Sequence, residues 1–427
     1  MTMDILLYEI KKVIKSPILI ALSVVFIIFN GIVIYDNSYI REDLKLANEL
    51  IKKTGYEIND EMFGKMDLEY SQLMQELNIV TKEMFNKGFQ SLSEFLDSEE
   101  YKKINYREVD FSDSEIGVIN ELLIVDMYKN LSLNLIHDYE EIDIMEMAEK
   151  IVKIHDLSGE AANLVRKNYE SLALRFEQLK DNGEYKNIFF PGIVYQMHRL
   201  LFGNIIGNCL IEIMILVVLM VSLLVNYEQD HKTLSLVSTT YRGRNLLKDK
   251  LIVSITSAIL ISMVILSSSL FLYFIVFDYS EFLNVPISSA FNWEIGDAPY
   301  ICWYNLSFIR YLMLSIGVVF ILSVMFTSLM FIICCLLKNS YKTFFAFFVV
   351  FGVVFMLPTF INKSSPVMIW SNYNLFMMVL NPHVWFMEAG AFMTSKYYEI
   401  TTILTNGIIL VLLTILAINR FKKEAIV

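Results

Sequence analysis

The chain has 427 residues, of which 55% are hydrophobic and 19% charged, with a mean hydropathy of +0.50 and a formal net charge of −11. This balance excludes an ordinary soluble domain, gives no footing to nucleic acid as a partner, and places the chain among membrane proteins. Its four cysteines form no disulfide framework: Cys209, Cys334 and Cys335 fall in apolar runs and Cys302 stands alone in a loop.

A helix crossing a hydrocarbon core of about 30 Å needs roughly 20 apolar residues at ~1.5 Å each. Six stretches qualify, at about 17–35, 204–225, 251–277, 308–337, 343–361 and 401–419. The first follows MTMDILLYEIKKVIKS, which has lysines ahead of an apolar run as a signal sequence does. That run is too long, and it ends in Ile34-Tyr35-Asp36 with no small-residue cleavage site, so we expect it to remain as an anchor. The expected fold class is an all-α integral membrane protein with six transmembrane helices. Its expected parts are residues 1–36 (an interface helix and the first span), 37–203 (a helical domain) and 204–427 (spans two to six, with a loop at 227–250).

Positively charged segments are retained in the cytoplasm. With the N-terminus inside, the inner pieces carry Lys11, Lys12, Lys15, Lys232, Arg242, Arg244, Lys248, Lys250, Lys338, Lys342, Arg420, Lys422 and Lys423. The short outer loops hold only Arg310, Lys363 and Lys396. Both termini are therefore predicted to be cytoplasmic, and residues 37–203 extracellular. That segment has 19 Lys and Arg against 32 Asp and Glu, a net charge of −13, whereas the rest of the chain is +2.

Within it, three sets of apolar residues recur alternately at three and four: Ile40, Leu44, Ala47, Ile51; Phe63, Met66, Tyr70, Leu73, Leu77, Val80, Met84; and Val165, Tyr169, Leu172, Phe176, Leu179. Each set makes one stripe of a helix that needs a partner stripe, so a helical bundle or an antiparallel coiled-coil stalk is predicted. Ser91 with Glu94 and Ser112 with Glu115 have capping-box spacing, Gly55 follows the first stripe, and Pro191-Gly192 closes the domain. The acidic run Glu140, Glu141, Asp143, Glu146, Glu149 reads either as a site for a cation or basic peptide, or as a solvated helix face.

Catalytic signatures are missing: there is no GxxxxGK[ST] phosphate loop, no HExxH zinc pair and no GxSxG elbow. His137, His155, His198, His231 and His383 lack metal-ligand spacing and are expected as isolated polar residues. No cofactor or metal is expected on this chain.

The stretch NYEQDHKTLSLVSTTYRGRNLLKDKLI, residues 226–252, puts charge and hydroxyls between the second and third spans. Leu234, Leu236 and Val237 make it competent to form a short amphipathic helix that inserts into a groove on a soluble partner; it reads equally as a connector whose basic residues obey topology. Its pattern, Glu-x-x-x-x-Thr-Leu, then Ser-Thr-Thr-Tyr-x-Gly-Arg, then Lys-Leu, resembles the coupling segment of type-2 ATP-binding cassette exporter permeases. On that resemblance Glu228, Thr233, Leu234, Ser238, Thr239, Gly243, Arg244 and Lys250 match the family's pattern, with Leu236 on the same short helix. Lys232 stands where many members have Gly, and Thr240 where many have Pro.

Two further stretches are similar to that family: Leu6 to Lys12 ahead of Lys15-Ser16-Pro17, like its amphipathic interface helix, and PVMIWSNYNLFMMVLNPHVWFMEAG between spans five and six, where the family has short helices dipping in from outside. Leu6 and Ile10 share a face with Val13 or Ile14, which independently supports an interfacial helix. The resemblance implies separate ATPase subunits that bind ATP and Mg, a second permease copy or sister permease, and export of a substrate. The acidic outer domain suggests an antimicrobial peptide as substrate, although it suits mere solubility equally well. A membrane-anchored receptor that uses the helical domain without transport is the competing reading. The composition suggests a plasma membrane of a single-membrane, Gram-positive bacterium.

Inside the bilayer, Glu212 is an expensive carboxylate that should face the bundle interior, a cavity or a partner, with Arg310, near the outer end of the fourth span, as the candidate pair; it reads equally as a protonated or snorkelling residue without a role. Trp293, Trp303, Trp370 and Trp385 fall in outer loops, where interfacial tryptophan belongs.

Overall fold

A computed structural model describes residues 2–106, 111–190, 192, 197–238, 243–293 and 299–424. Helices dominate these residues, no named strand occurs among them, and the β-type pairing consists of isolated bridges. Six helices are long and apolar enough to cross a membrane: Pro17–Asp36, Arg199–Val225, Leu246–Val276, Phe308–Leu337, Ser340–Phe360 and Tyr398–Lys423. They are the six runs expected from hydropathy, with ends displaced by a few residues.

The second and fourth spans form the centre of the bundle, 72% and 61% buried within the chain, whereas the first, fifth and sixth are only 17% buried. Residues facing away on those three, such as Val25, Ile32, Val353 and Leu416, are apolar and exposed, as a face against lipid must be. The third span carries a stripe of small residues, Ser254, Ala258, Ser262 and Ser269, all fully buried. Small side chains let helices approach closely, and the Ser262 hydroxyl satisfies itself by donating to the Ala258 carbonyl at 2.8 Å. The second span begins as a π-helix over Arg199–Ile205 before becoming α-helical at Ile206.

The domain between the first two spans is helical, as its stripes predict, but it is no stalk. Helices Arg41–Thr54, Asp60–Phe85 and Asp113–Glu140 pack together, while Ile144–Ile154 and Gly159–Asp181 form a hairpin. The Ile40 and Val165 stripes are buried throughout, and so are Met66, Leu73 and Leu77 of the middle stripe; only Met84 at its end is exposed. Burial of each large side chain contributes about 1.5–3 kcal/mol. Ser112 and Glu115 form the expected reciprocal capping box, and Gly55 ends its helix with φ +86°.

The domain lies directly on the loops that link the spans. Ser158 and Ala161 donate backbone N–H groups to the carbonyls of Lys363 and Ser364, both at 3.2 Å. This approach needs Gly159, with φ +52°, because a Cβ there would stand 3.3 Å from the Ser364 carbonyl oxygen. Ala290 donates to the Tyr185 carbonyl at 3.0 Å, and Asn48 bridges the Asp278 carbonyl at 2.6 Å and the Glu281 N–H at 3.1 Å. The loop between spans three and four is in turn stitched to the one between spans five and six by Trp303 N–H to Phe386 O and Glu388 N–H to Ile301 O, each 2.9 Å.

Two of the four tryptophans depart from the interfacial expectation. Trp385 is wholly buried, its indole N–H donating to the Met378 carbonyl at 3.1 Å, and Trp303 is 4% exposed. They fill the seam beneath the domain because the loops stack into a layer of their own. Trp370 alone among the four is strongly exposed.

Candidate functional site

The segment after the second span breaks into short pieces, helices Tyr227–Asp230 and Leu234–Ser238 and a 3₁₀ turn Gly243–Asn245. The first break is at Lys232, held in the left-handed region with φ +57°, a conformation that costs a non-glycine residue about 1–2 kcal/mol. Thr233 then restarts the chain, its N–H donating to the Glu228 carbonyl at 2.8 Å.

Of the residues singled out in this segment, Leu236 is 73% exposed, Leu234 is half-buried and Gly243 is buried. Ser238 and Arg244 are placed by their backbone alone, and Thr239 lies outside the described residues. Glu228 and Lys250 point inward: Glu228 is 6% exposed, Lys250 not at all, and the two form an ion pair. The Lys250 ammonium also donates to the carbonyl of Leu224 near the end of the second span. A lone buried charge would be very costly, so this pairing is what allows Lys250 to sit inside.

Three neighbouring elements close over the pair. Lys12 of the N-terminal helix Thr2–Ile14 lies 4.2 Å above the Tyr227 ring and 2.6 Å from the buried Glu9. From the fifth span, the hydroxyl of Ser340 reaches Asp230, and Thr343 Oγ1 accepts from Asn226 at 3.2 Å. Ser222 donates to the Ser340 carbonyl at 2.5 Å. The segment is thus gripped by the N-terminal helix and by the second, third and fifth spans.

Within the bundle, the expected pair of Glu212 and Arg310 does not form. Arg310 is exposed, and Glu212, 4% exposed, takes its hydrogen bond from Asn30 Nδ2 of the first span at 2.8 Å. Asn30 also reaches Ser269 of the third span at 3.0 Å. Arg310 stands at the end of its span where its long side chain finds water, while Glu212 is deep enough to need a partner at its own level. Sequence reasoning missed Asn30, although a lone amide inside Pro17–Asp36 was a usable signal.

At the domain end, Arg175 Nη2 donates to both carboxylate oxygens of the buried Glu184, at 2.8 and 2.9 Å, and Arg175 Nε donates to the Cys302 carbonyl at 3.0 Å. Burial raises the Glu184 carboxyl, opposed by Arg175. His198, expected as a surface residue, is 3% exposed, its ring against Tyr300 with centroids 4.0 Å apart. Its Nε2 is 2.8 Å from the His383 carbonyl, which fixes the proton there. Burial pushes its pKa down to about 3.

No group of three or more His, Cys, Asp or Glu suited to a metal ion occurs among the described residues. A cavity of about 740 Å³ between the third, fourth and sixth spans is lined by apolar groups, among them Ile259, Phe320, Met325 and Ile403. No family model, no curated protein and no solved structure matches the chain.

Proposed function

We propose that this chain is the membrane-spanning subunit of a transporter, an exporter permease driven by separate ATP-binding cassette ATPase chains that bind the ATP and Mg. On this reading the termini and the 227–250 segment are cytoplasmic, the helical domain is extracellular, and two permease copies or sister chains form the pathway. The observation that carries the reading is the inward anchoring of a short segment whose outer apolar face is exposed. Leu236 faces away, while Glu228 and Lys250 root the segment in the second and third spans. A force on that segment passes to the spans without loss in a flexible loop, as a docking element requires.

Further support comes from Asn30, Glu212 and Ser269, which link the first three spans inside the bundle, and from the layer that fixes the domain to the loops, so that span motion reaches the domain. The charge of −13 between residues 37 and 203 favours a cationic amphipathic peptide as substrate. The basic residues at the termini end favour that end being inside, and the composition favours the plasma membrane of a single-membrane bacterium.

The test is co-purification of the tagged chain from its host in mild detergent, beside an Arg244→Ala, Leu236→Asp double variant. Recovery of an ATPase with the wild type and its loss from the variant supports the permease. If neither form brings down an ATPase while the domain retains a surface ligand, the chain is an anchored receptor.

A further inference from the structure

A cavity of about 390 Å³ opens at the end of the molecule away from the domain, between the turn that joins the N-terminal helix to the first span and the end of the second span. Its rim is polar, with Lys12, Lys15 and Ser16 on one side and Tyr227 and His231 on the other; its floor is apolar, formed by Leu19, Met220 and Leu223. A second cavity of about 320 Å³ shares Val13 and Leu19 with the first and continues between the first and third spans as far as Ile27 and Val264. Its walls are aliphatic apart from Ser23 and Ser257, and Ser23 is turned onto the Leu19 carbonyl at 2.8 Å.

The two spaces adjoin at Val13 and Leu19, at the depth where a membrane changes from headgroup to hydrocarbon. From Leu19 to Ile27 the groove runs about 12 Å at ~1.5 Å per residue, most of one leaflet's acyl length. Of the acids near the rim, Glu9 is neutralised by Lys12 at 2.6 Å, while Asp230 lines the cavity beside Tyr227 and His231, its carboxylate accepting from the Ser340 hydroxyl and keeping its charge on the side away from Lys15 and Ser16. Lys15 is exposed and has no acidic partner among the described residues. The rim therefore offers an uncommitted cation beside a hydroxyl, above a slot that only hydrocarbon suits.

We propose that this site holds a phospholipid with an anionic headgroup, its phosphate at Lys15 and Ser16 and an acyl chain in the groove beside the first span. The inference does not depend on the transport reading, since it concerns only the lipid side of the N-terminal helix. A bound lipid there would brace the helix that covers Glu228 and Lys250.

Native mass spectrometry of the full-length chain in detergent tests it, with phosphatidylglycerol and phosphatidylcholine of identical acyl chains added in turn. Phosphatidylglycerol should be retained about tenfold more tightly, and Lys15→Glu should remove that preference. Because Lys15 is exposed, the variant should fold. Leu223→Trp, which fills the floor without changing charge, should reduce retention of phosphatidylglycerol as well, and Lys52→Glu on the domain should change nothing. Equal retention of the two lipids, or an equal effect from Lys52→Glu, overturns the proposal. So does displacement of the lipid by millimolar inorganic phosphate, which would make the rim a site for the free anion.

Discussion

The two ends of the molecule are fastened in opposite ways. At the domain end, backbone N–H groups of Ser158, Ala161, Ala290 and Trp303 and the side-chain amide of Asn48 spread the attachment over the domain and the loops beneath it, and the Arg175–Glu184 pair is one bond set among many. At the other end side chains do the fastening: the buried Lys250–Glu228 ion pair, with Asp230 and Asn226 held by Ser340 and Thr343. Backbone bonds survive the loss of a single side chain; a buried charge pair does not.

Lys250→Met breaks this contrast most directly. Methionine keeps the stem but leaves Glu228 buried and unpaired, a change expected to cost about 4 kcal/mol; thermal unfolding in detergent reads the loss, and any co-purifying ATPase should be lost with it. Arg175→Met orphans Glu184 in the same manner, yet the surrounding stitches remain, so we expect a smaller cost of about 3 kcal/mol and no change at the far end. If Arg175→Met proves the costlier of the two, the contrast is wrong.

Acid should loosen the domain end selectively. The folded pKa of His198 lies below its ordinary value of 6.5, so the stability it contributes is present above 6.5 and is lost as pH falls toward about 3. At pH 5 the loss is about 2 kcal/mol, and unfolding curves for His198→Phe should lack this part of the slope. The smallest effect is expected from Ser112→Ala, which removes a helix cap from an exposed helix start for about 1 kcal/mol; a cost near that of Lys250→Met would mean that the domain is less tolerant than its many bonds imply.

The spans were legible because twenty apolar residues in a row outweigh every local preference, and the domain helices because their stripes repeat at helical spacing. The layer under the domain was not. It joins Tyr185 to Ala290 and Ile301 to Glu388, pairings between distant segments that leave no periodic mark in either. Glu228 and Lys250 stood out in the sequence, but as contacts for a partner; only the fold shows that each is the other's counter-charge. Glu9 was unreadable in the same way, since an acid in an amphipathic helix looks the same in sequence whether it faces water or lies buried against a lysine.

The π-helical start of the second span has a consequence for how the domain and the bundle move. Its seven residues, Arg199–Ile205, are wound more widely than an α-helix, so the chain there contains slack. Drawing that slack out by a single residue would turn the polypeptide above it by about 100° relative to the span below. His198 stands at that junction, seated against Tyr300 and the His383 carbonyl, so a shift of register there would have to break that seat first.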